Sequence, residues 1–183
     1  MKNEAEVCSI ITRSYKDFVK IPDPSGNYTH TSIRCFDGIG MLPEKLILKN
    51  KSDENCFICW EAKHLKGMQA FNFTRVEPHQ DYYLSKYASC QNVYSFLLIG
   101  ISVKRADNRI YVIDYKDCGH ELYQAKFSIH RKFLEKLAYN KISKGTFKFE
   151  NIIQWKDLEQ VYENENLRFE VNSQFSCNSD LQV

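Results

Sequence analysis

The chain predicts an α/β fold, a mixed β-sheet flanked by α-helices in a single domain, and three observations carry that expectation. A length of 183 residues suits one domain with a sizeable core. The run Val93 to Val103 is too continuously apolar to leave a wet face, so it predicts a central strand covered on both sides. Around it the order helix, strands, helix, two strands, helix argues for a layered arrangement of sheet and helices.

Taken in order, Asn3 to Val19 predicts a helix, because Val7, Ile11, Tyr15 and Phe18 form one apolar stripe. Two prolines and a glycine between Ile21 and Asn27 break it. His30 to Phe36 reads as a strand leading into Asp37-Gly38, and Leu46 to Leu48 as a short strand. A charged turn then separates the latter from a strand over Cys56 to Glu61, so that the two could form a hairpin. After Lys63 an irregular stretch is expected to Arg75, and Glu77-Pro78 then marks a helix start, since proline lacks an N–H that has no partner there anyway. That helix is expected to run to Ser89, with Tyr83, Leu84 and Tyr87 packing inward. Ile110 to Ile113 predicts an antiparallel partner for the central strand. Ser128 to Lys141 predicts a further helix, with Ile129, Phe133 and Leu137 as its stripe. Beyond Trp155 the pattern fades. The domain is expected to span residues 1–171, with a loose polar tail over 172–183.

Composition narrows the function classes. Twenty-five basic against twenty-three acidic residues give a formal charge of +2, so binding to nucleic acid would need a local basic surface. No apolar run reaches spanning length and the polar N-terminus does not resemble a signal peptide, which predicts a cytoplasmic protein with no membrane attachment. Seven irregularly spaced cysteines suit reduced thiols, and Cys56 and Cys59, with no second pair at zinc spacing, read as buried thiols in a strand.

The chemistry concentrates between Asp37 and Gln80. Glu61 and Lys63 lie two apart in a strand-like run and so share a face, while Ala62 points the other way. A second carboxylate, Asp37, stands at another strand end beside Gly38. Mg²⁺ is a hard cation that takes oxygen ligands, and Asp37, Glu61 and the Ala62 carbonyl would supply three. A metal held there lowers the pKa of a bound water and offsets charge on a scissile phosphate, with Lys63 beside it to stabilise developing charge. An acidic residue and a lysine two apart also occur on wet strand edges with no function. This triplet differs in closing a hydrophobic run, with an Asp-Gly upstream.

In this order the residues resemble a family. Asp37 followed by Glu61-Ala62-Lys63 is similar to the signature of restriction-endonuclease-like, PD-(D/E)XK, nucleases. The chain then continues with Ala70-Phe71-Asn72-Phe73 and with His79-Gln80 opening a helix, as in RecU-type Holliday junction resolvases. The likeness is good from about Phe57 to Tyr87 and extends to Asp114. It implies a restriction-endonuclease-like fold and a homodimeric endonuclease cutting branched or four-way DNA with Mg²⁺, for which Mn²⁺ would substitute. Asp37, Glu61, Lys63 and Gln80 would be its catalytic residues. Two alternatives remain: a sequence-specific type II restriction endonuclease or phage repair nuclease of the same fold, or a catalytically inactive DNA-binding module.

Other candidates have bland counterparts. Lys66, Arg75, Lys104, Arg105 and Arg109 are placed to follow a DNA backbone, though such residues also simply solubilise turns. His79 could face DNA or open the helix, and His64 could contact phosphate or sit in a solvated loop. Glu4 and Glu6 could add a carboxylate to the site or line a wet helix face.

Overall fold

Apolar residues alternate along three long strands, and this alternation builds two cores, one on each face of the sheet. The computed structural model describes residues 1, 3–21, 35–43, 45, 54–67, 70–102 and 107–165. Helix α1 (Glu4–Ser14) is followed by β1 (Val19–Lys20), β2 (Gly38–Pro43) and β3 (Asn55–Leu65). The short β4 (Ala70–Asn72) and a 3₁₀ turn (Phe73–Arg75) lead to α2 (Pro78–Ala88), then β5 (Val93–Ser102) and β6 (Asn108–Asp114). A π-helical turn (Tyr115–Gly119) runs into α3 (His120–Gln124), β7 (Ser128–His130), α4 (Arg131–Leu134), β8 (Asn140–Lys141) and α5 (Trp155–Glu163). Among the described residues no helix is long and apolar enough to cross a membrane.

The main sheet has the order β1-β2-β3-β5-β6-β8 and is mostly antiparallel. β3 and β5 run parallel, with Glu61 opposite Leu97 and Lys63 opposite Ile99, and α2 makes the crossover between them. β4 and β7 form a separate two-stranded sheet. Ile58, Trp60, Ala62, Phe96, Leu98, Ile110 and Val112 face the α1 side, where they join Val7, Ile10 and Ile11. Cys59, Leu65, Leu97, Ile99, Ile101, Tyr111 and Ile113 face the other side and pack with Leu84, Leu122, Leu134 and Leu158. Each fully buried aliphatic or aromatic side chain stabilises the fold by roughly 1.5–3 kcal/mol. The α1 core also has aromatic contacts: Phe18 stacks on Trp60 at 4.9 Å between ring centroids.

The mixed α/β architecture, the central β5 and its antiparallel partner β6 agree with the sequence. Helix α1 stops at Ser14, short of the expected Val19, while Asn3 caps its start by accepting a hydrogen bond from Glu6 N–H at 3.0 Å. β3 continues to Leu65, so Lys63 and His64 lie inside the strand and the irregular stretch begins later. Its antiparallel neighbour is β2, with Gly38 opposite Trp60, so Asp37 precedes a strand instead of ending one. The expected strand at Leu46 to Leu48, most of that at His30 to Phe36, and the tail 172–183 fall outside the described residues.

One expectation is corrected outright. Ser128 to Lys141 is not a helix: β7, the single-turn α4 and β8 divide it. Ile129, Phe133 and Leu137 are buried as their spacing suggested. The backbone of Ser128–His130, however, pairs with β4, Phe71 lying opposite Ile129, and a helix cannot also claim those groups. Beyond Trp155 the chain forms α5, which buries Leu158 and Tyr162 and is opened by a reciprocal cap between Gln154 and Asp157.

Candidate active site

The candidate site forms where β2 leaves the sheet beside the middle of β3. Asp37 N–H donates to the Trp60 carbonyl at 3.0 Å, the last backbone bond before β2 diverges. Past that point a side chain takes over the ladder: Ala62 N–H donates to Asp37 Oδ2 at 2.8 Å. The carboxylate is thereby tied to the peptide between Glu61 and Lys63. Gly38 permits the close approach, because a Cβ there would collide with the Trp60 indole.

Glu61 and Lys63 project to the α2 side of β3. Lys63 Nζ donates to Glu61 Oε1 at 2.8 Å and to Gln80 Oε1 at 3.2 Å, and Gln80 Nε2 donates to Glu61 Oε1 at 2.7 Å. Gln80 is held because its Oε1 also accepts from Glu77 N–H at 2.9 Å, half of the reciprocal cap that opens α2. The residue that starts the helix thus orients the strand pair. Asp37, Glu61, Lys63 and Gln80 are all buried, none more than 6% exposed. A charge pair at this depth is tolerated only when it is hydrogen-bonded, and Gln80 adds one bond to each partner.

One neighbour of the site, Cys8, escaped the sequence reading, and another, His64, lies elsewhere than expected. Cys8 of α1 is buried in the core on the α1 side of the sheet, near enough for the Asp37 carboxylate to act on its thiol. Burial pushes the Cys8 thiol far up its scale, the Asp37 charge and hydrogen bond add to this, and the Glu61 charge acts in the same direction. The only signal for Cys8 in the sequence was its place beside Val7 in the α1 stripe. His64 is buried in β3 instead of lying in a solvated loop, and its Nε2 has no hydrogen-bond partner among the described residues. Burial first, then the nearby N-terminal amine, hold its pKa below the usual histidine value.

The other candidates divide. Arg75 donates to the His64 carbonyl at 3.1 Å and to Glu4 Oε1 at 3.0 Å, which puts it at the same end of β3 as Lys63. Lys66 is exposed just beyond that end. Glu4 is therefore engaged with Arg75, while Glu6 lies 3.8 Å from the Met1 amine. His79 sits 3.4 Å from Glu77 in the first turn of α2. Arg109 pairs with Asp107 at 2.6 Å and lies over the Tyr139 ring, away from the site. Lys104 and Arg105 lie outside the described residues. None of the six described cysteines forms a disulfide, and both Cys56 and Cys59 are buried, Cys59 Sγ lying 2.9 Å from Ser95 Oγ.

The sequence matches no family model and no curated protein.

Among the described residues no group of three His, Cys, Asp or Glu is placed to hold a metal. The donors near the Asp37–Ala62 junction are fewer and all oxygens: the Asp37 carboxylate bonded to Ala62 N–H, and the carboxylate of the preceding residue, Glu61, held by Lys63 and Gln80. Such hard oxygen donors fit Mg²⁺ or Mn²⁺, which keep several waters and need few protein ligands. Two carboxylates against one ammonium leave one negative charge, which a divalent cation would reverse, giving a site that attracts phosphate.

Proposed function

We propose that this protein is a metal-dependent endonuclease that hydrolyses phosphodiester bonds in DNA, with a restriction-endonuclease-like arrangement of its site. The reading is supported above all by one observation: Asp37 is joined to the Ala62 peptide, and so to the Glu61–Lys63 pair, by a 2.8 Å hydrogen bond. Asp37, Glu61 and the Ala62 carbonyl would hold Mg²⁺ or Mn²⁺, and the ion when bound supplies Lewis acidity and an acidified water. Lys63, fixed by Glu61 and Gln80, presents its ammonium to charge developing on the phosphate. Gln80 keeps the lysine and the glutamate in register. Lys66 and Arg75 would take neighbouring phosphates, making binding salt-dependent.

Branched DNA is the proposed substrate, following the resemblance to RecU-type resolvases. Resolving a four-way junction requires two symmetric incisions, and a two-fold homodimer carries two sites in that relation. The deciding experiment compares Mg²⁺-dependent cleavage of four-way junction, nicked, flap and linear duplex DNA. Paired cuts in the junction are expected. Cleavage of one duplex sequence alone would instead identify a restriction-type enzyme, and no cleavage of any substrate would end the nuclease reading.

A second reading has its own support. The Lys63 ammonium is taken up by Glu61 and Gln80, and all three side chains are buried. A closed ion pair of this kind also suits a DNA-binding module without catalysis. In that case DNA would bind with or without Mg²⁺ and stay intact.

A further inference from the structure

Gln80 is followed on α2 by a second buried polar residue, Asp81. Its Oδ1 accepts from Tyr115 Oη at 2.7 Å and lies 2.8 Å from His120 Nδ1. Ser85, one turn further along α2, reaches the same Nδ1 at 2.9 Å. Tyr115 opens the π-helical turn after β6 and His120 opens α3. The Asp81 side chain is 9% exposed but that of His120 is 44% exposed. A solvent-facing imidazole is therefore linked, through one carboxylate oxygen, to the helical turn whose preceding residue lies on Glu61 and Lys63.

We propose that Asp81 is a positioning residue for Gln80: through Tyr115 and His120 it locks the first turn of α2 onto the β6–α3 connection, so that the protonation of His120 sets how firmly Gln80 holds Glu61 and Lys63. This rests on the reading of Glu61, Lys63 and Gln80 as the functional site, and it adds regulation to that site.

The surroundings leave His120 as the group that changes charge near neutrality. Facing it are Asp81 and Ser85 from α2 and Tyr115 from the π-helical turn, with Glu121 beside it on α3. Burial and the Asp81 carboxylate hold the Tyr115 phenol far above its usual range, so it stays a donor. The hydrogen bond to Asp81 raises the His120 pKa, partial burial opposes it, and the Asp81 and Glu121 charges raise it further. A protonated imidazole makes the bond to Asp81 charge-assisted and stronger. The lock is therefore tight below the raised His120 value and loosens as pH rises through it.

The experiment follows the Gln80 side-chain amide by ¹⁵N NMR in the full chain from pH 5.5 to 8.5, alongside the His120 ring protons. Neither signal needs DNA or cleavage, so the result stands apart from the fate of the nuclease reading. Gln80 is expected to shift with the midpoint of His120, and His120→Gln to flatten that shift. If cleavage is present, its rate should vary by about two- to thirtyfold across the same midpoint, the range such couplings span. A Gln80 signal that stays flat through the His120 titration of the parent protein would overturn the proposal, whether or not the variant folds. A folded His120→Gln protein that keeps the parent's Gln80 titration would overturn it equally.

Discussion

Asp37 Oδ2 and the Ala62 N–H, 2.8 Å apart, continue by side chain a ladder that the β2 backbone abandons. Two residues 25 positions apart are thus joined where β2 and β3 part. The bond needs an acceptor oxygen at residue 37 but not a charge, whereas a metal site needs the charge.

That difference is testable. In Asp37→Asn the carboxamide oxygen still accepts from Ala62, so the unfolding midpoint should stay near that of the parent while Mg²⁺-dependent cleavage falls by about 100-fold or more. Asp37→Ala leaves a buried N–H unpaired and should cost about 1–3 kcal/mol in urea titration. An Asp37→Asn protein that cleaves at the parent rate would remove Asp37 from the site.

The Glu61–Lys63 pair makes a second case. Both side chains are at least nine-tenths buried, so removing one charge leaves the other without compensation. Glu61→Gln and Lys63→Met should each destabilise by about 3–5 kcal/mol, while the double variant should recover most of the loss. Chemical denaturation of the three proteins reads this directly. Equal additive losses would mean that the two residues do not act as a pair.

Tight packing beneath Asp37 gives a third. Gly38 lies against the Trp60 indole and Gly40 against the Phe18 ring. Gly38→Ala and Gly40→Ala should each cost about 1–3 kcal/mol through overpacking. A loss of cleavage in Gly38→Ala that exceeds its loss of stability would show displacement of Asp37. Parent-like stability in both variants would contradict the close approach.

Two histidines act on stability with opposite signs. His64 is held below its usual value by burial, so the unfolded chain binds a proton that the fold refuses. Its contribution is complete above about pH 6.5 and is lost as pH falls through the lowered folded value. His120 is raised by Asp81, so its contribution is complete below about pH 6.5 and is lost as pH rises through the folded value. Urea midpoints between pH 7.5 and 5.5 should therefore fall less in His64→Leu than in the parent, and more in His120→Gln. The same slope in all three proteins would argue against both environments.

Much of the scaffold is determined by local pattern. The unbroken apolar run of β5 dictates a strand covered on both faces, and the two-residue period puts Glu61 and Lys63 on one side of β3. Pro78 and Gln80 mark the start of α2 because an unpaired first turn favours those residues. Other features follow from partners distant in sequence. Ile129, Phe133 and Leu137 have helical spacing and are buried, yet pairing of β7 with β4 takes the backbone groups that a helix would need. His64 looks like a loop residue until β3 is seen to run past it, with β5 alongside to Ile101. The contacts at the site belong to this second class: Gln80 meets Glu61 across 19 positions and Asp37 meets Ala62 across 25. Sequence by itself determined which side chains could do chemistry and which face of a strand they share, because both depend on residue type and backbone period. Their convergence was decided by tertiary structure, since the crossover through α2 and the divergence of β2 set those distances.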